Sequence, residues 1–94
     1  RMFDTRLLDS ELFMSGRLDA SQVDQARQAL IANPACTVVN LRELEFICSG
    51  GIGLFFGHYQ RLHVHGYRLT IREPRPNIRR ILELAKLDSF ADII

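Results

Sequence analysis

Residues 36–66 read CTVVNLRELEFICSGGIGLFFGHYQRLHVHG, and the change of period inside this stretch decides the fold. Cys36, Thr37, Val38, Val39, Asn40 and Leu41 form a nearly continuous apolar and β-branched run, the pattern of a strand covered on both faces. Phe46 and Ile47 follow, and Cys48, Ser49, Gly50 and Gly51 then interrupt the run. From about Gly50 to His65 the residues Ile52, Phe55, Phe56, Tyr59 and Leu62 return at the spacing of one helical face. Gly66 is placed to close that helix in a left-handed conformation. A strand that turns straight into an amphipathic helix is the first half of a strand–helix–strand unit, which predicts an α/β fold.

The flanks repeat the alternation. Upstream, Arg6–Leu8 and Glu11–Ser15 flank the polar pair Asp9 and Ser10 and predict a β-hairpin, whose second strand leads into Gly16-Arg17-Leu18-Asp19. Ser21 is positioned to cap a first helix carrying Val23, Ala26, Leu30 and Ile31, which Asn33 and Pro34 stop. Downstream, Tyr67 to Arg72 alternates as a strand. Pro74 and Pro76 break it, and Asn77 is positioned to cap a third helix with Ile78, Ile81, Leu82 and Ala85. The tail, Asp88 to Ile94, fits neither period. Alternating strands and helices predict one sheet with helices packed on it through right-handed crossovers.

Composition bounds the function. At 94 residues with 47% apolar residues the chain builds one core, so residues 1–94 are read as a single domain. A net charge of +1 argues against nucleic acid as partner. The apolar stretch Ile52–Phe56 is far short of the roughly 20 residues a bilayer crossing needs, so no direct membrane insertion is expected. No basic segment leads into an apolar run near Arg1, and Cys36 and Cys48 lack the paired spacing of a zinc site. A reducing, cytoplasmic setting without a disulfide, metal or cofactor is the expectation.

Few residues offer chemistry. His58, His63 and His65 all fall on the second helix. His63 and His65 stand about 200° apart around it, which keeps them from one metal and favours a solvated face. Ser49-Gly50-Gly51-Ile52-Gly53 sits where a strand meets a helix and backbone N–H groups favour an anion, but it lacks the lysine and spacing of a phosphate loop. Ser49 carries two compatible readings, the helix N-cap and a site of regulatory phosphorylation. Asp19 is either a cap ahead of the first helix or part of a partner surface. With Ile52, Phe55, Phe56 and Tyr59 turned inward, Leu54, His58 and Arg61 are expected on the opposite, exposed side as a binding surface. Arg72, Arg75, Arg79 and Arg80 read as a solvated face, with docking of an acidic partner as the second reading. No histidine stands at a spacing that sequence can connect to Ser49, so an enzyme is the last choice.

Ser15-Gly16-Arg17-Leu18-Asp19, Val38-Val39-Asn40-Leu41 followed by Phe46, the turn Cys48-Ser49-Gly50-Gly51-Ile52-Gly53 and the step His65-Gly66-Tyr67-Arg68-Leu69 together resemble the STAS family, named for sulphate transporters and anti-sigma factor antagonists. The resemblance covers about Leu7 to Ile94. It implies a STAS-like mixed sheet of about four to five strands with three to four helices. It also implies a protein-binding module, an anti-sigma factor antagonist whose partner is an anti-sigma factor and serine kinase of the histidine-kinase-like ATPase type. In such antagonists the turn commonly reads Asp-Ser-Ser-Gly and its second serine is phosphorylated. Here Cys48 stands at the aspartate, Ser49 at the first serine and Gly50 at the residue normally modified, so either Ser49 is the phosphorylation site, one residue displaced, or the domain is not switched by phosphate. Small STAS proteins attached to phospholipid-transport ABC machinery have Asp-Thr-Gly-Gly at the turn, to which Ser49-Gly50-Gly51 is similar, so the alternative is a non-phosphorylated STAS subunit or domain of a transporter, phospholipid ABC or anion, with a transporter subunit as partner, or of a larger signalling scaffold. The partner-binding residues implied are Asp19, Cys48, Ser49, Gly50, Leu54, His58 and Arg61.

Overall fold

The computed structural model describes residues 1–94. The predicted hairpin is present and longer on both arms: β1 spans Asp4–Leu8 and β2 spans Glu11–Leu18, paired antiparallel with Leu8 opposite Glu11. Asp9 and Ser10 both take positive φ, 51° and 65°, the handedness a two-residue hairpin turn requires to match the twist of its strands. Gly16 lies at an irregularity in β2 with φ of 81°, and a Cβ there would stand 2.3 Å from the Met2 carbonyl oxygen. Only glycine lets the N-terminal segment pass that close.

A short 3-10 turn, Ala20–Gln22, leads into α1, Val23–Ala32. Then come β3 (Val38–Ile47), α2 (Ser49–Val64), β4 (Thr70–Arg72), α3 (Pro76–Leu84), a second 3-10 turn at Leu87–Ser89 and β5 (Asp92–Ile93). The sheet order is β1-β2-β3-β4-β5, with β1 antiparallel to β2 and every other neighbouring pair parallel. Five strands in one mixed sheet with three α-helices is the architecture expected from the sequence. No helix is long and apolar enough to cross a membrane.

Local expectations shift where side chains compete for the backbone. Ser21 does not cap the first helix; the Asp19 carboxylate accepts from the Ser21 N–H at 3.1 Å and from its hydroxyl at 2.9 Å, starting the 3-10 turn instead. Asn77 is likewise no cap, since Arg75 holds that position with no side-chain cap bond and Pro76 opens α3 with its preset φ. The Asn77 amide donates to the Glu45 carbonyl oxygen at 3.4 Å and the Arg75 guanidinium to the Arg42 carbonyl oxygen at 3.1 Å, which seats α3 along β3. The strand read from Tyr67 starts only at Thr70, opposite Val38, because β3 itself begins there. The undecided tail supplies β5, whose Asp92 is held by a two-pronged bond from Arg68 at 2.8 and 3.0 Å.

The core lies between sheet and helices. Leu12, Met14 and Leu18 of β2 and Val39, Leu41, Leu44 and Ile47 of β3 are buried with Ala26 and Leu30 of α1 and Leu54, Phe55 and Leu62 of α2. Ile71, Ile78, Leu82 and Leu87 extend the same cluster toward the C-terminus. β3 is central because its run of apolar residues meets neighbours on both edges, as a strand inside a sheet must.

Candidate functional site

β2 and β3 end together. Leu18 pairs with Ile47, and the Cys48 N–H donates to the Leu18 carbonyl oxygen at 2.9 Å. Each strand then hands over to a helical turn, so Asp19 and the Cys48-Ser49-Gly50 turn share the carboxyl end of the parallel strands, the edge where open α/β sheets present their sites. Four of the predicted residues therefore meet, although 28 or more positions separate Asp19 from the turn in sequence.

The N-cap role read for Ser49 belongs to Cys48, which holds an extended backbone with φ of −90° and ψ of 170°. Cys48 makes no side-chain cap bond. Ser49 is the first helical residue of α2; it is exposed, and its hydroxyl has no hydrogen-bond partner in the protein. The shift follows from the Cys48–Leu18 bond, which keeps the chain extended one residue beyond β3. The result is a free hydroxyl on the first turn of a 16-residue helix, where the dipole favours negative charge.

The glycines of the turn differ in what they make room for. A Cβ on Gly51 would lie 2.9 Å from Ile47 Cγ1 and 2.9 Å from Leu18 Cδ2, so its absence lets α2 press onto the strand ends. On Gly50 it would stand 3.2 Å from Val23 Cγ2, at the start of α1. Nothing lies within 4 Å of such an atom on Gly53, and on Gly57 only Arg61 Nη1, at 3.7 Å. Gly53 and Gly57, four residues apart, thus form an open strip of α2, which Gly50 continues up to its close approach to Val23. With Arg27, Ile31, Leu54 and Arg61 they line a groove of about 320 Å³ between α1 and α2 that opens from the Ser49 turn. Arg27, Gly53 and Gly57 line this groove and were not among the expected partner-binding residues, though the glycine spacing was there to be read.

The expected exposed trio divides. Arg61 is exposed, but Leu54 is only 8% exposed and His58 is fully buried. α1 packs across this side of α2, so α2 is covered by a helix as well as by the sheet, and its buried arc is Gly51, Leu54, Phe55, His58 and Leu62. Ile52, Phe56 and Tyr59, expected inside, are half-buried. The His58 ring lies 2.6 Å through Nε2 from the Cys36 carbonyl oxygen. A carbonyl only accepts, so Nε2 carries the proton and donates; Nδ1 is left to accept from the Arg61 guanidinium at 3.4 Å. Burial holds the imidazole below its ordinary pKa, outweighing the carbonyl that favours the charged form, and Arg61 adds to the depression. His58 therefore ties α2 to the segment entering β3 and anchors Arg61 at the groove.

The other candidates lie elsewhere. His63 stacks on the Tyr59 ring, with centroids 5.3 Å apart, and His65 closes α2 as an exposed C-cap. Arg72 pairs with Glu11, Arg79 with Glu83, and Arg75 donates to the Arg42 carbonyl oxygen, while Arg80 is exposed without an ion-pair partner. Cys36 and Cys48 stand at opposite ends of β3 as free thiols.

Comparison with known proteins agrees with this fold. The family model described as Mlab, STAS domain matches residues 3–94. An anti-sigma F factor antagonist of Paenibacillus polymyxa is 28% identical over 79% of this chain and 68% of its own length. The crystal structure of an anti-sigma factor antagonist from Mycobacterium paratuberculosis superposes with a TM-score of 0.80 at 21% identity, over 98% of this chain and 83% of that one. The unphosphorylated form of the antagonist SpoIIAA gives 0.76 at 22% identity, over 99% and 88%. At these identities the structural likeness carries the fold.

Proposed function

This chain belongs to the STAS domain family, and on that premise we propose that it is an anti-sigma factor antagonist which binds its anti-sigma factor with the end of the molecule formed by Asp19, Cys48, Ser49 and Gly50. The binding surface continues along the α1–α2 groove, where Arg61 and Arg27 stand at the walls, Leu54 lines the groove and His58 lies buried behind Arg61. The observation that carries this reading is the exposed Ser49 hydroxyl, free of any internal bond, at the joined ends of β2 and β3.

In this reading the partner is an ATPase of the histidine-kinase-like type and Ser49 is its phosphate acceptor. The γ-phosphoryl group passes from ATP to the serine oxygen, the hydroxyl proton leaves, and ADP is released. The chain itself is substrate and ligand, and the phosphoryl chemistry belongs to the partner. Nearly two added negative charges on the first turn of α2 sit well with the helix dipole, so the fold survives while the docking surface changes sign. Incubation with the purified anti-sigma ATPase of the same genome and ATP, read by intact mass, is expected to add one phosphate that Ser49→Ala abolishes. An unmodified wild-type mass contradicts the phosphate switch.

Gly50 favours a second reading. It occupies the position of the modified residue in the antagonists this turn resembles, and Ser49-Gly50-Gly51 is similar to the turn of transporter-associated STAS subunits. A transporter ATPase subunit docked on the same face would engage Ser49 by contact alone, and binding that survives without any phosphate on wild-type protein under ATP separates the two.

A further inference from the structure

β1 is the edge strand of the sheet, and one side of it has no neighbour. Leu8 and Glu11 flank a two-residue turn and so form a hydrogen-bonded pair, which fixes the alternation along β1. Asp4, Arg6 and Leu8 direct their backbone groups to β2; Thr5 and Leu7 direct theirs outward. The Thr5 N–H is bonded at 2.9 Å by the carboxylate of its own neighbour Asp4, in keeping with an edge that has no strand to receive it. Leu7 and Leu8 are 50% and 49% exposed, Met2 is 86% exposed, and neither Asp4 nor Arg6 has an ion-pair partner. An edge of this kind is a template for another strand.

We propose that β1 pairs antiparallel with β1 of a second copy of this chain, about a two-fold axis at Thr5, joining two sheets into one. The register follows from which groups meet. Outward-facing backbone groups bond only outward-facing ones, so the axis passes through a residue. With the axis at Asp4, two carboxylates face each other; with the axis at Arg6, two guanidinium groups do. With the axis at Thr5, Asp4 of each copy stands opposite Arg6 of the other, twice. These are non-hydrogen-bonded positions, where side chains come closest and an ion pair forms best. The two Thr5 residues exchange N–H and carbonyl bonds once the Asp4 carboxylate swings from its own backbone to the facing guanidinium. In this register three residues of each β1, Asp4 to Arg6, face the other copy, far less than a standard interface, so the association is weak and salt-sensitive.

The inference is independent of the partner proposed for the Ser49 face, and its test uses no partner. Sedimentation equilibrium of the 94-residue protein, from about 10 μM to about 1 mM in low salt, is expected to show a monomer–dimer equilibrium that weakens in about 1 M salt. Arg6→Asp alone and Asp4→Arg alone each set like charges against each other and are expected to weaken the dimer by at least about tenfold. The double variant Asp4→Arg/Arg6→Asp restores the opposite pairs and is expected to return to within about threefold of wild type. Thr5→Pro removes an outward N–H that the monomer does not use within its sheet, and abolishes the dimer in a chain whose circular dichroism is native. A monomer across the whole range overturns the proposal, as does a dimer indifferent to the single reversals or a folded double variant that stays monomeric.

Discussion

Gly51 and Gly53 are two residues apart on one helix and do opposite things. A methyl group on Gly51 meets Ile47 and Leu18 at 2.9 Å, atoms that are themselves packed in the core, so Gly51→Ala is expected to destabilise the protein by about 1–3 kcal/mol in urea denaturation, net of the helix propensity gained. Gly53 meets nothing, so Gly53→Ala is expected to stabilise by up to about 1 kcal/mol. If the groove receives the partner's chain, the same Gly53→Ala variant binds the anti-sigma factor more weakly while melting higher, a split that calorimetry and thermal unfolding read side by side. The sequence displayed the glycine spacing but not this division, because the difference lies in Leu18 and Ile47, which reach the turn only through the sheet. The same holds for Ser49, whose place as first helical residue depends on the bond from Cys48 to Leu18.

At the scale of elements, α2 holds the greatest departure from expectation. Its apolar periodicity was legible, but Ile52, Phe56 and Tyr59 compete with Leu54, Phe55 and Leu62 for the inside, and the packing of α1 decides in favour of the second set. His58 is buried with them because its ring has a carbonyl to bond. This gives the helix a pH dependence. The folded-state pKa of His58 lies below its ordinary 6.5, so the unfolded chain takes up the proton first. The stabilisation is complete above about pH 6.5 and is lost as the pH falls below it toward the depressed folded-state pKa. Thermal melts between pH 7.5 and pH 5 are expected to fall with acidification, and His58→Gln is expected to flatten that slope while lowering the melting temperature at neutral pH. Equal slopes for the two proteins contradict the assignment.

The whole molecule was largely legible before its structure: a hairpin, a central strand, a helix opened by a glycine-rich turn and closed by Gly66, and a third strand–helix pair. The short strand β5 was not, since two residues that pair only with Thr70 and Ile71 leave no period to read. The candidate site was legible only in part, since Leu54 and His58, expected on its exposed side, are buried. Asp19 and the Ser49 turn meet because β2 and β3 are parallel neighbours that end in step, while the groove beside them exists because α1 lies against α2. What the assembled molecule presents at this end is an anion-favouring helix start with a free hydroxyl, from which the groove walled by Arg27 and Arg61 runs down α2. The most direct test is a calorimetric titration of the purified anti-sigma ATPase of the same genome with wild type and with Ser49→Asp, both shown folded. Saturable binding by wild type, weakened at least about tenfold by the added carboxylate, is the predicted result. Equal affinities for the two proteins, or no binding by wild type, contradict the account.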